Sequence, residues 1–299
     1  MILTKRLLYI LLLMLLLCCS GGPKNPNRNS RVVYTGIPPI AYLAEKIAGP
    51  SITVEVLLRT GQSPHTFEPT PSQISGLSQA RLYLAIGFPF EQTLLQNLPQ
   101  DQMGVQIFDC DTNIERIRSD EAPDHDNHEH EHEGLESDPH IWMSPGNAKQ
   151  IALNIYAALV ETYPDNFGEF SENLWSLVDS LELIDSTIAE LLRPYKGESI
   201  YVYHPAFGYF TQAYGLYQES VEIEGKSPSP RQIEELIEKA RRNHVEILFV
   251  QPQFDTRSAQ VIAEAIGGTV VQVDPLERNL LQNFIHIAEQ IEISLNQFK

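Results

Sequence analysis

The chain has 299 residues, 42% of them hydrophobic, and a formal net charge of -18. That length allows one large domain or two modest ones, with enough apolar residues for packed cores. The negative balance argues against nucleic acid as a partner, because phosphate binding needs clustered Lys and Arg; it otherwise serves solubility.

The chain starts with a basic head, Lys5 and Arg6, followed by the apolar run LLYILLLMLLL from Leu7 to Leu17. That run is too short to span a bilayer comfortably. Cys18, Cys19, Ser20 and Gly21 come next. The pattern resembles a bacterial lipoprotein signal, in which a Cys is acylated and becomes the new N-terminus. Cys19, preceded by a small residue, is preferred as the acylated position over Cys18. The plain alternative is an ordinary signal peptide or an anchor helix. Residues 1–19 are read as the signal region and 20–30, containing PKNPNRNS, as a tether. Only Cys110 lies beyond, so an exported chain would have no internal disulfide framework. Cys110 reads as a small buried residue.

From residue 31 a strand-then-helix rhythm begins. RVVYTG (31–36) reads as a strand and PPIAYLAEKIAG as a helix with proline in its first turn. SITVEVLL (51–58) is β-rich and is followed by a loop. TPSQISGLSQA (70–80) places Thr70 as cap, Pro71 at the first helical position and Gln73 to complete a capping box. RLYLAIG and VQIFDC read as strands, with a helix from about Phe90 between them. After an acidic loop, Ser144-Pro145 opens another helix, with Ile151, Ile155, Ala158, Leu159 and Thr162 at helical spacing.

The stretch 165–193 steps by three or four through Phe167, Phe170, Leu174, Leu177, Leu181, Ile184, Ile188 and Leu191. It reads as one long helix that stops at Pro194, either a strut between two lobes or a coiled-coil dimer seam. The resumed rhythm favours the strut. SIYVYH (199–204), LYQESVEI, EILFVQPQ and TVVQVDP read as strands, with helices at about 206–214, 229–243 and 256–266 and an amphipathic helix closing the chain. The helix from Ser229 shows another capping box. Alternating elements of this kind make parallel sheets covered on both faces. The expected fold is therefore α/β: two lobes with mainly parallel sheets, bridged by one long rigid helix. The N-terminal lobe is expected over 31–163, carrying a His- and acid-rich loop at 120–138. The connecting helix is expected over 164–194 and the C-terminal lobe over 195–299.

Among the histidines, His244 and His286 read as surface or packing residues. Four other residues share one kind of position. His65 follows SITVEVLL, His140 follows VQIFDC, His204 ends SIYVYH and Asp274 ends TVVQVDP. All four sit at the carboxyl ends of predicted strands, two per lobe, where open α/β sheets bind ligands. Three imidazoles with one carboxylate suit a borderline metal, and tetrahedral zinc fits them best.

SPHTFEPTPSQ, DPHIWMSP, YHPAFGYF, EGKSPSPRQI and VDPL together resemble the cluster A-I metal-binding lipoproteins of ABC importers, of the zinc-uptake type. The resemblance covers about 31–299. It implies two lobes bridged by a rigid helix, with Zn2+ between them held by His65, His140, His204 and Asp274. His204 matters in that comparison, since manganese-binding relatives tend to have Glu there. A His- and acid-rich insertion is also frequent in zinc-binding members, and DHDNHEHEHEG (124–134) stands where it would.

That insertion contains His125, His128, His130 and His132, and H-E-x-x-H read literally. The zinc-protease motif works on a docked helix, and no apolar stripe surrounds this one. In a His- and Glu-rich tract the pattern is cheap by chance. The reading is a tract that chelates zinc weakly and reversibly, or a solvating spacer. GKS at 225–227 lacks the earlier Gly of a P-loop, and no G-x-S-x-G elbow occurs. The expectation is therefore a non-enzymatic, extracytoplasmic, lipid-anchored monomer. It would capture Zn2+ and deliver it to an ABC permease energised by a separate ATPase. Alternatives are a carrier of another divalent metal such as manganese, a surface adhesin on the same scaffold, and, less favoured, a zinc hydrolase.

Overall fold

The computed structural model describes residues 29–97, 104–117, 137–222, 230–243, 245–254 and 256–296. Strands β1 (Val32–Thr35), β2 (Thr53–Val56), β3 (Leu82–Ala85) and β4 (Gln106–Asp109) form one sheet in the order β2-β1-β3-β4, parallel throughout. Strands β5 (Ser199–Val202), β6 (Tyr217–Ser220), β7 (Ile247–Val250) and β8 (Thr269–Gln272) repeat that order as β6-β5-β7-β8, again parallel. In each sheet the first and third strands lie side by side, and the connections diverge from there. A crevice opens at such a switch point, outside the carboxyl ends of the strands.

Local chemistry places the helices. α1 (Pro38–Ala48) begins on two prolines, which lack the N–H groups a first turn leaves unpaired. In α2 (Pro71–Leu77) the expected capping box is present. Thr70 Oγ1 accepts from Gln73 N at 3.3 Å, and Gln73 Oε1 accepts from Thr70 N at 2.8 Å. Gln73 Nε2 also donates to Leu57 O at 2.6 Å, fastening both ends of the segment that carries His65. α3 (Pro89–Asn97) follows β3. α4 (Pro145–Thr162) starts at Ser144, whose hydroxyl accepts from Asn147 N at 3.2 Å, and all five residues expected on its apolar face are buried. α5 (Phe167–Leu192) is the long helix, 26 residues and about 39 Å at 1.5 Å per residue. The second lobe adds α6 (Gly208–Tyr214), α7 (Pro230–Arg242), α8 (Thr256–Ile266) and α9 (Leu280–Asn296).

The buried face of α5 is Phe170, Leu174, Leu177, Val178, Leu181, Ile188 and Leu192. Phe167, expected on that face, is 56% exposed, and Leu191 is only half-buried. The predicted stripe repeats about every 3.4 residues, so on a 3.6-residue helix it drifts by roughly 120° from end to end. Phe167 at its start turns out into solvent, while the rest stays wholly or partly against the core, Ile184 and Leu191 being half-buried there.

One core runs through the molecule. It joins the first sheet and α1 to α4, α5 and α9, and reaches Ile200 and Val202 of β5. The alternate residues Tyr201 and Tyr203 point to the other face, in a smaller cluster with Leu248, Val250, Ala259 and Ile262. Cys110 is fully buried within the main core, as expected.

Candidate metal site

Three of the four strand-end residues meet. His65 Nε2 lies 3.0 Å from His204 Nε2, and His204 Nε2 lies 3.4 Å from His140 Nε2. The ligand atoms of all three fall within 4.8 Å of one another. On tetrahedral zinc, with Zn–N of about 2.0–2.1 Å, ligand nitrogens sit about 3.3–3.4 Å apart. The spacing therefore suits one small ion.

Two carboxylates turn the rings. Asp138 Oδ1 is 2.7 Å from His140 Nδ1 and also accepts from His140 N at 2.8 Å. Glu222 Oε2 is 2.6 Å from His204 Nδ1. A carboxylate at Nδ1 accepts a hydrogen bond from Nδ1–H, which holds the proton on that nitrogen and leaves Nε2 with its lone pair. The Nε2 lone pairs of His140 and His204 then point at the same small volume. Without a cation that juxtaposition is unfavourable, and with one it is a ligand set.

Burial favours the neutral form of His65 and His204. His65 is pushed down to about 3, chiefly by burial of its imidazole and then by His140 and His204. Its outer edge remains exposed, so solvent screens part of that penalty. His204 is also lowered, mainly by burial, with Glu222 pulling the other way. A metal needs deprotonated imidazoles, so both rings are already in the form it binds. Phe88 backs the cluster, with ring centroids 5.4 Å from His65 and 6.0 Å from His140.

The backbone around His204 is also held. Gln251 Nε2 donates to His204 O at 2.7 Å and Gln251 Oε1 accepts from His204 N at 3.3 Å. Across the site, Trp142 Nε1 donates to Pro275 O at 2.8 Å, and Tyr209 Oη donates to Asp138 O at 3.0 Å. These two bonds join the lobes on either side of the histidines. Gly208 permits the second contact, because a Cβ there would lie 2.8 Å from Asp138 Oδ2 and 3.0 Å from Ile117 Cδ1.

Asp274 does not join the three-histidine group. Its Oδ1 accepts from Gln253 Nε2 and from Leu276 N, both at 2.9 Å. Burial raises its pKa, against the pull of those two bonds. His286 lies exposed on α9. His125, His128, His130, His132, His244, Ser229 and the two N-terminal cysteines, Cys18 and Cys19, lie outside the described residues.

The sequence reading missed Asp138, Glu222, Gln251 and Phe254, which stacks on His204 with centroids 4.9 Å apart. Asp138 had a local signal, since D-P-H puts a carboxylate two residues before His140. Glu222 and Phe254 had none, being 18 and 50 positions from His204 along the chain.

The profile described as "ZnuA: Zinc-uptake complex component A periplasmic" matches residues 33–292. The chain belongs to that family. It is 29% identical over 274 residues to the high-affinity zinc uptake system protein ZnuA of Yersinia pestis, covering 84% of this chain and 85% of that protein. A crystal structure of ZnuA superposes with a TM-score of 0.81 at 32% identity, covering 89% of this chain and 99% of that one. A ZnuA deletion mutant with zinc bound matches at TM-score 0.80 and 33% identity, over 89% and 98%. The expected architecture of two parallel-sheet lobes and a long bridging helix is the one these relatives share.

Proposed function

We propose that the protein captures Zn2+ between its lobes through His65, His140 and His204, with Asp274 as the fourth ligand, and delivers it to an ABC-type permease. The observation that carries this reading is the convergence of three imidazoles, with ligand nitrogens 3.0 and 3.4 Å apart in two pairs and all within 4.8 Å, near the spacing that tetrahedral zinc requires. Imidazole donors favour zinc over manganese, which prefers oxygen-rich sites. Asp138 and Glu222 stand behind His140 and His204, and with Asp274 they put three carboxylates around a divalent ion. For Asp274 to reach the metal, its carboxylate must turn from Gln253 or offer its other oxygen. The protein acts as a carrier and not as an enzyme; a separate ATPase supplies the energy of transport. It works as a monomer outside the cytoplasm, tethered by an acylated Cys19 or Cys18, and the His-rich tract with His125, His128, His130 and His132 adds weak zinc binding.

The test is isothermal titration of zinc into His204→Ala and His286→Ala. Changes behind a ligand typically cost about 10–100-fold in affinity, and loss of a ligand should cost at least that. His286→Ala should match the wild type. Equal affinities for the two variants would remove His204 from the site.

A further inference from the structure

The cavity at the histidines is small, about 10 Å³, close to the roughly 10–15 Å³ that one water needs. A hydrated zinc ion is far larger, so part of the wall must move before the ion can be exchanged. On the side of the first lobe the wall includes His65, which is exposed, and Ser63, which is half-buried; the rest of it is more closely held. Pro64, Pro275 and Leu276 are buried, and Gln251 is buried with both ends of its amide bonded to the His204 backbone. Gln253 and Phe254 differ, being only half-buried at the cavity's edge. Phe254 lies almost flat on the His204 ring, 4.9 Å between centroids and 26° between planes, with Tyr203 beside it at 5.7 Å. Gln253, its neighbour, holds Asp274 Oδ1. Three side chains of one four-residue loop thus each engage His204 or Asp274.

We propose that the loop Gln251–Phe254 is the gate for metal exchange, with Phe254 as its closing side chain. Gln251 is the fixed end. Phe254 covers the face of His204 and must swing off it for the ion to pass. The same movement carries Gln253, so opening the gate also frees Asp274 to turn. Phe254 is a positioning residue in this scheme, since it sets the rates of exchange and contributes no ligand atom. The inference rests on the histidines being the zinc site.

A gate changes how fast equilibrium is reached and leaves its position alone. The experiment is stopped-flow mixing of the metal-free full chain with Zn2+, and of the zinc-loaded chain with a chromophoric chelator. Wild type, Phe254→Ala, Phe254→Leu and Phe254→Trp are compared. A ring contact of this kind is worth roughly two- to tenfold in a rate or equilibrium constant. Phe254→Ala and Phe254→Leu should therefore speed both uptake and release by a similar factor in that range, with affinity unchanged, and Phe254→Trp should slow both. The leucine variant keeps apolar bulk, so it reads the stack even where alanine disturbs folding. Unchanged rates would overturn the proposal and move the path to the exposed side of His65. Faster release with unchanged uptake would also overturn it, since Phe254 would then stabilise only the bound state. Failure of the wild type to bind zinc at all would instead sink the site assignment.

Discussion

Replacing Glu222 by Ala should weaken zinc binding by about 10–100-fold, or roughly 1.4–2.8 kcal/mol, although Glu222 is not a proposed ligand. Its Oε2 lies 2.6 Å from His204 Nδ1, and the two side chains are 8% and 6% exposed. No water competes strongly for that bond. When Nε2 binds Zn2+, the ring takes on positive charge and its Nδ1–H becomes a stronger donor. The hydrogen bond to the carboxylate therefore strengthens on metal binding, and only this difference counts towards affinity. Alanine also frees the ring to rotate and to change tautomer, and one tautomer puts the proton on Nε2. An opposing effect exists: Glu222 raises the pKa of His204 against the lowering by burial, so its removal weakens proton competition. Above the ordinary imidazole range His204 is neutral either way, so that effect vanishes there. The assay is competition with a chromophoric chelator at such a pH, on wild type, Glu222→Ala and Glu222→Gln. The amide oxygen of glutamine can still accept from Nδ1–H, so Glu222→Gln should lose less than about tenfold. Glu222→Ala within about twofold of wild type would refute the reasoning, because the ring would then be held without the carboxylate.

Two further outcomes are expected. Deleting Asp124 to Gly134 should leave one tight zinc equivalent and remove only weaker ones, measured by zinc stoichiometry and competition affinity. Loss of tight binding in the deletion, with His65→Ala unaffected, would transfer the site to His125, His128, His130 and His132. The pH dependence of stability in the metal-free protein should show two opposite contributions. His65 and His204 have folded pKa values below their unfolded ones, so the unfolded chain takes up protons first as the pH drops. Their stability is complete above about 6.5 and is lost on acidification. Glu91 is buried and raised to about 7, by burial despite bonds from Ile86 N, Tyr83 Oη and Phe88 N. Its contribution has the reverse sign, present at low pH and lost as the pH rises towards 7. Glu91→Gln should therefore lose stability more steeply than wild type on acidification below neutrality, by up to about 1.4 kcal/mol per pH unit in denaturant titrations. Parallel pH profiles would show that Glu91 stays ionised.

The sequence by itself determined what depends on near neighbours. The capping box at Thr70 and Gln73, the Ser144 cap and the proline-led starts of α1 and α4 are satisfied within one helical turn, so their residue types announce them. The strand–helix alternation determined two parallel sheets, and strand ends singled out His65, His140, His204 and Asp274. Tertiary structure decided which of the four converge. The three imidazoles meet because the loop after β2, the loop before α4 and the end of β5 deliver them from two lobes, while Asp274 is turned towards Gln253 and the Leu276 amide. Those two partners are invisible to any pattern that ranks Asp274 with the histidines. The same holds for Glu222 behind His204 and for Phe254 on its ring, one coming from the end of β6 and the other from the end of β7. On α5 the three-and-four spacing was right about a helix and wrong about Phe167 at its start, because each turn adds a small angular error that only packing against α4 and α9 resolves. Local propensity is written residue by residue; the direction a side chain faces, and what it meets there, is fixed by elements far apart in the chain.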